Sequence, residues 1–341
     1  MSRSGQNALA LLSARLPDPA GYGRVVRDST GRVARIVEER DASTEERAIT
    51  EINTGVLAAP AARLRSWLGA LKADNSQGEY YLTDCIGAAV RDGCAVEAVV
   101  AASPAEVLGV NDKVQLAEAE TALRARRAAE LMRAGVTVVD PLRLDVRGDV
   151  ACGRDVVLDV NVILEGKVRL GDRVKIGPGC VLRDCEIGDD SEVRVNSLIE
   201  GAVAGARCVI GPFARLRPGT RLADGVHIGN FVEVKNSEIG AGSKANHLSY
   251  IGDTTIGSRV NVGAGTVTCN YDGVNKHRTS IGDGVFIGSG TMLVAPVSVG
   301  EDATIGAGST ITKPAPAGKL TVERSRQQTI ENWKRPEKKP G

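Results

Sequence analysis

Aromatic side chains are scarce in this chain. They make up only 3% of its 341 residues, and the sequence holds just 3 His and 3 Met. Such a composition suits an interior filled by Val, Ile and Leu rather than by rings. An excess of charge of one sign is also lacking, because 43 Lys and Arg nearly balance 42 Asp and Glu. This balance indicates neither nucleic acid nor an anionic membrane as a partner.

Cysteine pairing and long apolar runs are lacking as well. The 7 cysteines are odd in number, scattered and without a C-x-x-C motif, which favours a reduced cytosol. The apolar run Ala8–Leu12 is too short for a transmembrane span and lacks the strongly charged flank of a signal peptide. We therefore predict a cytoplasmic protein with no membrane segment.

What the sequence does have is glycine, 40 residues in all, and a strict six-residue repeat in its second half. Neither a helix nor an isolated strand has this period, but a short strand followed by a tight corner does. Three such units close a coil of about eighteen residues, and stacked coils bury the aliphatic side chains along the axis. The pattern predicts a mainly β fold, the left-handed parallel β-helix of hexapeptide repeats. The repeat runs without a slip through Ile281, Ile287, Leu293, Val299, Ile305 and Ile311.

Four segments follow from changes of pattern along the chain. We predict an incomplete α/β domain at 1–108, a linker helix at 109–137, the β-helix at 138–318 and a basic tail at 319–341. The tail is either a solvated end or an arm that contacts a cofactor. Asn111 or Asp112 is expected to cap the linker helix. Within the first segment we predict strands at Arg24–Val26, Val33–Val37 and Val96–Ala101, the first two forming a hairpin, and helices at 60–72 and Thr83–Arg91.

Breaks in the repeat indicate where chemistry is placed, because a regular β-helix is a plain prism. Thr268 and Ile281 are thirteen residues apart where two units need twelve, and the polar segment 269–278 has no repeat character. We predict that this segment leaves the prism as a loop. Shorter steps of five residues occur at 234–239 and 251–256.

Several strings around these breaks resemble one family, the bacterial bifunctional enzymes that acetylate glucosamine 1-phosphate and then uridylylate the product. The strings in the repeats are Gly211–Gly219, Gly229–Lys235, Ser243–Tyr250 and Gly263–Gly273. Further matches to the uridylyltransferase half are Gly21–Arg24, Ile36–Glu39, Glu51–Gly55, Gln77–Asp84 and Gly109–Asn111. The resemblance covers nearly the whole chain from about Leu9. It implies a homotrimer with active sites between subunits, and a role in making UDP-N-acetylglucosamine for cell wall and lipopolysaccharide.

Acetyl transfer from acetyl-CoA to an amine needs a general base, donors for the thioester oxygen and cations for the sugar phosphate. His247, the only histidine inside a full family-like motif, is predicted as the base, and Glu233 as the group that orients it. The resemblance and this chemistry together assign the sugar phosphate to Arg217, Lys235, Tyr250, Asn261, Asn270 and Lys276. They assign acetyl-CoA to Ala264, Asn270, Tyr271, Ser289, Ala307 and Arg324, with the Ala264 N–H and the Ser289 hydroxyl as candidate oxyanion donors.

The first segment departs from the family pattern. The family's Gly-rich phosphate loop and its Mg²⁺-binding Asp have no counterpart in residues 1–20, so the chain is expected to begin partway through that domain. By resemblance, Gly23, Glu38, Asn53 and Asn111 are remaining UDP-sugar contacts, and Asn111 is also the remaining metal ligand. Mg²⁺ is expected only for the uridylyltransferase half. We predict that this half is inactive in this chain.

Two other functions compete with acetyl transfer. A zinc hydratase needs converging imidazoles, but His227, His247 and His277 are twenty and thirty residues apart, out of phase with an eighteen-residue coil. A non-catalytic remnant that binds a sugar nucleotide or an acyl donor is the second alternative. Turnover of acetyl-CoA separates it from the enzyme.

Overall fold

The computed structural model of the protein describes residues 8–110 and 112–338. The chain divides into two compact units, Met1–Ala122 and Leu123–Gly341. In the described part of the chain, no helix is both long enough and apolar enough to cross a membrane.

The first unit is built on a five-stranded sheet. Its strands are β1 (Ala8–Arg15), β2 (Arg24–Arg27), β3 (Val33–Val37), β4 (Glu51–Ala58) and β5 (Ala95–Val100), in the order β3-β2-β4-β1-β5. Its helices are α1 (Thr44–Arg47), α2 (Ala61–Gly69) and α3 (Asp84–Arg91). The predicted hairpin is confirmed as the antiparallel pair β2–β3. The apolar run at the start of the chain lies in β1, where Leu9 and Leu11 are buried.

A helix of 21 residues, α4 (Lys113–Arg133), crosses the division between the two units. Asp112 accepts a hydrogen bond from the Gln115 N–H at 2.8 Å, so it caps the helix as one of the two predicted candidates. The other candidate, Asn111, lies outside the described residues. Near its end, the buried Ala128 and the partly buried Leu131 pack against the aliphatic core of the second unit.

The second unit is the predicted left-handed parallel β-helix, whose coils have three faces. Face one is an eleven-stranded sheet that starts at Thr137–Val138. Its other strands are Val157–Leu158, Lys175–Ile176, Glu192–Val193, Val209–Ile210, His227–Asn230, Lys244–His247, Asn261–Val262, Phe286–Ile287, Thr304–Ile305 and Leu320–Thr321. The last of these adds a rung inside the segment predicted as the tail, because Leu320 pairs with Thr304.

Faces two and three share a continuous sheet at the start of the solenoid. Asp145–Cys152, Ile163–Leu170 and Val181–Ile187 run across both faces. Face two continues with Leu198–Glu200, Arg215–Leu216, Glu233–Lys235, Tyr250–Gly252, Val267–Cys269, Met292–Val294 and Thr310–Ile311. Face three continues with Val203–Ala204, Arg221–Leu222, Glu238–Ile239, Thr254–Ile256, Thr279–Ile281 and Val297–Val299.

From the second coil onward, the corner between faces one and two turns through a residue of positive φ. In three consecutive coils this residue is bulky and apolar: Phe213 (φ 55°), Phe231 (56°) and Leu248 (49°). All three are exposed, and the two phenyl rings stack with their centroids 5.3 Å apart. Left-handed backbone is unfavourable for such side chains. We call these three residues the apolar ladder. At other levels of this corner the residue is Asn or Gly, as at Asn196 and Gly265.

Candidate functional site

The segment after Cys269 leaves the prism, as its lack of repeat character predicts. Face three resumes at Thr279, which pairs with Thr254 of the previous coil. Between these points the Asp272 carboxylate accepts the N–H groups of Val274 and Asn275 at 2.8 and 2.6 Å and contacts His277 Nε2 at 2.7 Å. These contacts hold the pKa of Asp272 well below its usual range, with the Asn275 N–H the largest cause and the His277 ring the next. The loop is thus a structured excursion that carries Asn270, Tyr271 and Lys276.

At the base of this loop lies a buried carboxylate, that of Asp253. It accepts hydrogen bonds from Asn236 Nδ2 at 2.5 Å and from Asn270 Nδ2, and its Oδ2 lies 4.0 Å from Lys235 Nζ. Burial alone would raise the pKa of Asp253, but the two amides and the charges of Lys235 and Lys276 outweigh it and lower that pKa. Asp253 therefore ties the predicted loop residue Asn270 to the predicted phosphate ligand Lys235.

Two further cations, one in the loop and one on face two, lie in the same region as Lys235. Lys276 approaches Lys235, and the neighbouring ammonium group lowers the pKa of Lys276. Two ammonium groups at close range repel each other, so an anion between them is stabilised by both. One coil below, Arg217 Nη1 donates to Glu233 Oε1 at 2.8 Å. We call Arg217, Lys235, Asp253, Asn270 and Lys276 the face-two cluster.

His247 ends its strand on face one, just before the apolar-ladder residue Leu248, and Tyr250 follows on face two. His247 Nδ1 lies 3.1 Å from Oδ1 of Asn230, the last residue of the strand one coil below. The predicted orienting group, Glu233, instead pairs with Arg217. Asn230 was not recognised in the sequence, although it lies inside the family-like string Gly229–Lys235.

Three of the predicted acetyl-CoA residues share one corner of the solenoid with His247, whereas Asn270 and Tyr271 lie in the loop. His247, Ala264, Ser289 and Ala307 each precede the positive-φ residue of their coil, and backbone hydrogen bonds connect them upward: Gly265 N–H to His247 O, Gly290 N–H to Ala264 O and Gly308 N–H to Ser289 O. Arg324 Nη1 donates to Ala307 O at 3.0 Å, which places its guanidinium at the top of this row. Ser289 and Ala307 are exposed, and Tyr271 is 61% exposed. We call His247, Ala264, Ser289 and Ala307 the corner row.

One predicted sugar contact lies elsewhere. Asn261 starts a strand of face one, with Lys244 and Phe286 as its Cα partners in the neighbouring coils. Tyr250, Asn270 and the cations are on or beside face two, so a single chain does not bring Asn261 to them.

In the first unit, three of the predicted UDP-sugar residues are neighbours. The Asn53 N–H donates to Gly23 O at 2.8 Å, and a Cβ built on Gly23 would lie 3.1 Å from Glu38 Oε2. Glu38 Oε1 accepts a hydrogen bond from the Thr83 hydroxyl at 2.8 Å. The fourth residue, Asn111, lies outside the described residues.

Metal ligation finds no support in residues 8–110 and 112–338. They contain no group of three or more His, Cys, Asp or Glu side chains that could hold an ion. His227 and His247 lie on face one and His277 lies in the loop, paired with Asp272. Among the described residues of a single chain, the three imidazoles therefore do not form a zinc ligand set.

Comparisons with known proteins agree with the solenoid. Residues 278–313 match the family model of the bacterial transferase hexapeptide (six repeats), and 146–228 match that of the GMPPB C-terminal domain. The bifunctional protein GlmU of Alkalilimnicola ehrlichii is 60% identical over 332 residues, which cover 97% of this chain and 72% of that protein. GlmU of Methylococcus capsulatus is 60% identical over 99% of this chain and 74% of that protein.

Solved structures resemble the chain less closely. The UDP-N-acetylglucosamine acyltransferase of Francisella novicida aligns at 15% identity with a TM-score of 0.33, over 54% of this chain and 66% of that one.

Proposed function

This chain belongs to the GlmU family, and we propose that its solenoid transfers the acetyl group of acetyl-CoA to the amine of glucosamine 1-phosphate. It is thus a glucosamine-1-phosphate N-acetyltransferase in the synthesis of UDP-N-acetylglucosamine. That sugar nucleotide is a precursor of cell wall and lipopolysaccharide. The observation that carries the proposal is that His247 begins the corner row while the cations predicted to bind phosphate lie on and beside the adjoining face two. A donor along the row and an acceptor on face two would meet at His247.

The chemistry requires His247 to act as a base. The amine nitrogen of the sugar attacks the thioester carbonyl carbon, so a C–N bond forms and the C–S bond breaks. The imidazole removes the proton of the attacking amine and returns it to the departing thiolate, which leaves as free CoA. In this proposal the Ala264 N–H donates to the thioester oxygen as it gains charge; among the described residues this N–H has no other acceptor. The Ser289 hydroxyl lies one coil above it.

The face-two cluster suits the sugar phosphate. Lys235 and Lys276 supply adjacent ammonium groups, and Arg217 supplies a planar guanidinium whose charge Glu233 partly offsets. The phosphate would replace the repulsion between the two lysines by attraction to both. Asn270 and Tyr250 are then within the same region to contact the sugar, and Arg324 at the top of the corner row suits a CoA phosphate.

We propose a homotrimer with sites between subunits. Two observations support it: the apolar ladder is exposed and strained in one chain, and Asn261 lies on a different face from the other sugar contacts. Packing the ladder against a second copy would bury it, and that copy would supply Asn261. We also propose a cytoplasmic location, since acetyl-CoA is a cytoplasmic metabolite. The absence of uridylyl transfer stays a prediction, tested by incubating the chain with UTP, Mg²⁺ and N-acetylglucosamine 1-phosphate.

Release of free thiol from acetyl-CoA in the presence of glucosamine 1-phosphate tests the function. We expect turnover by the wild type and a loss of at least about a hundredfold in His247→Ala, since general bases contribute on that order. His277→Ala, a loop histidine outside the proposed chemistry, is the matched control. Wild-type protein that binds acetyl-CoA without releasing thiol would support the non-catalytic alternative instead.

A further inference from the structure

We infer that Asn230 is the positioning residue of the acetyl transfer: its side-chain oxygen fixes the imidazole of His247 in the tautomer whose Nε2 is free to accept a proton. The inference rests on the proposed function for its chemistry, but its geometry stands on the fold alone.

The register of the solenoid brings the two residues together. Asn230 and His247 are Cα partners in adjacent parallel strands of face one, and each is the last residue of its strand. The Leu248 N–H donates to the Asn230 carbonyl at 3.1 Å, which ties the two corners through the backbone. Both side chains therefore start from rigid, aligned positions.

The hydrogen bond selects one tautomer. Oδ1 of Asn230 lies 3.1 Å from Nδ1 of His247, and an amide oxygen can only accept. Nδ1 must therefore carry the hydrogen, which leaves the lone pair on Nε2. In the other tautomer two lone pairs would face each other across this contact. A base whose lone pair already points away from its anchor needs no reorganisation before it takes the proton of the amine.

No carboxylate performs this role in the described ranges of the chain. Glu233 pairs with Arg217 at 2.8 Å and does not pair with His247. The charged or titratable groups that share a surface pocket with His247 are His227 and Arg194 from lower coils, and Lys244 begins the strand that His247 ends. An uncharged acceptor orients the ring among these groups without adding a negative charge that would hold the transferred proton.

Two substitutions separate positioning from support of the fold. Asn230→Ala removes the acceptor, and we expect kcat to fall about tenfold to a hundredfold with little change in KM for glucosamine 1-phosphate, the range typical of lost orienting contacts. Asn230→Asp keeps an acceptor and adds a charge, so it should retain more activity than Asn230→Ala. Its acid limb in the pH profile of kcat/KM should move up by about one unit. Asn246→Ala, the neighbour of His247 whose Oδ1 has no hydrogen-bond partner in the structure, is the matched control.

A readout without turnover keeps the inference separate from the proposed function. Because the chain has only 3 histidines, their ¹⁵N imidazole signals can be assigned by single substitutions. We expect the His247 signal to report hydrogen on Nδ1 in the wild type and a mixture of tautomers in Asn230→Ala. A wild-type ring with hydrogen on Nε2, or an Asn230→Asp enzyme whose pH profile overlays the wild type, would overturn the inference. If the wild-type protein shows the Nδ1 tautomer but releases no thiol, the result contradicts the proposed function and leaves this inference standing.

Discussion

At the scale of single residues, Asp253 holds the loop and the cluster together. Its side chain accepts from Asn236 and Asn270, its backbone N–H donates to Lys235 O, and its carbonyl accepts from the Thr279 N–H where the loop re-enters the prism. The residue also adopts φ 49°, which costs free energy for a non-glycine. Its network must offset that strain and the desolvation of the charge.

Replacing Asp253 by Ala should therefore destabilise the solenoid strongly. Removal of a buried, hydrogen-bonded charge leaves two amides without their acceptor and two lysines without a counter-charge, a loss of about 3 kcal/mol in the free energy of unfolding. Asp302→Ala is the matched control, because Asp302 has a similar φ of 52° but an exposed side chain. Chemical denaturation followed by circular dichroism measures both. Equal effects of the two substitutions would show that the network adds nothing beyond the backbone conformation.

The same carboxylate predicts how stability depends on pH. The pKa of Asp253 is lower in the folded chain than in the unfolded one, where a free Asp titrates at about 3.9. Its contribution is therefore complete above the unfolded pKa and is lost as the pH falls through the folded pKa. We expect the difference in unfolding free energy between wild type and Asp253→Asn to stay constant from pH 5 to 7, approximate bounds set by that pKa, and to shrink below it. A difference that persists unchanged in acid would contradict the assignment.

Which polar residues meet could be predicted only in part from the sequence. Family-like strings pointed to His247, Arg217 and Lys235, but not to Asn230 or to the buried role of Asp253. The reason is the register: equivalent corner residues are 18 apart from Phe213 to Phe231 but 17 apart from Phe231 to Leu248. A fixed period therefore does not tell which outward side chains align. The role predicted for Glu233 stays a prediction, although the structure gives its carboxylate to Arg217.

At the scale of elements, one glycine allows the strands of Asn230 and His247 to lie side by side. A Cβ on Gly229 would lie 1.9 Å from the backbone oxygen of Asn246 in the next coil. Backbone cannot yield as a flexible side chain can. Close approach of the two strands thus depends on a hydrogen atom at this position.

We expect Gly229→Ala to cost about 3 kcal/mol of stability, the upper part of the range for overpacking, and to lower acetyl transfer by separating Asn230 from His247. Gly225→Ala is the control: it has φ 68° and its Cβ meets nothing closer than 4.0 Å, so it should cost only the left-handed backbone term of about 1 kcal/mol. Denaturation midpoints and thiol-release rates are compared for the two. Native-like activity in Gly229→Ala would mean that the coils can shift without disturbing the base.

The elements themselves were largely predictable. The aliphatic repeat identified the solenoid because each rung buries the same position against its neighbours, as Ile281, Ile287 and Leu293 do. The loop was found because its spacing breaks that rule. The turn inside the loop was not predicted, because it depends on the hydrogen bonds that Asp272 accepts. In the first unit α1 was missed, although Ser43 and Glu46 form a capping box that was readable in the sequence.

At the scale of the whole molecule, the single chain leaves the proposed site incomplete. The apolar ladder is exposed beside His247, and Asn261 lies on face one, away from the face-two cluster. In a trimer each site would draw His247 from one subunit and Asn261 from another. Activity would then depend on which chains are neighbours, not only on what each chain carries.

Mixed trimers test this directly. His247→Ala and Asn261→Ala chains, each expected to be inactive alone, are coexpressed with different tags, and trimers that carry both tags are isolated. If the two residues act in sites shared between subunits, every mixed trimer keeps both native side chains in one of its three sites, and thiol release should recover toward about one third of the wild-type rate. If both residues serve the site of their own chain, every site lacks one of them and the mixture stays inactive. A control mixture of His247→Ala with His247→Gln cannot restore the base and should show no recovery.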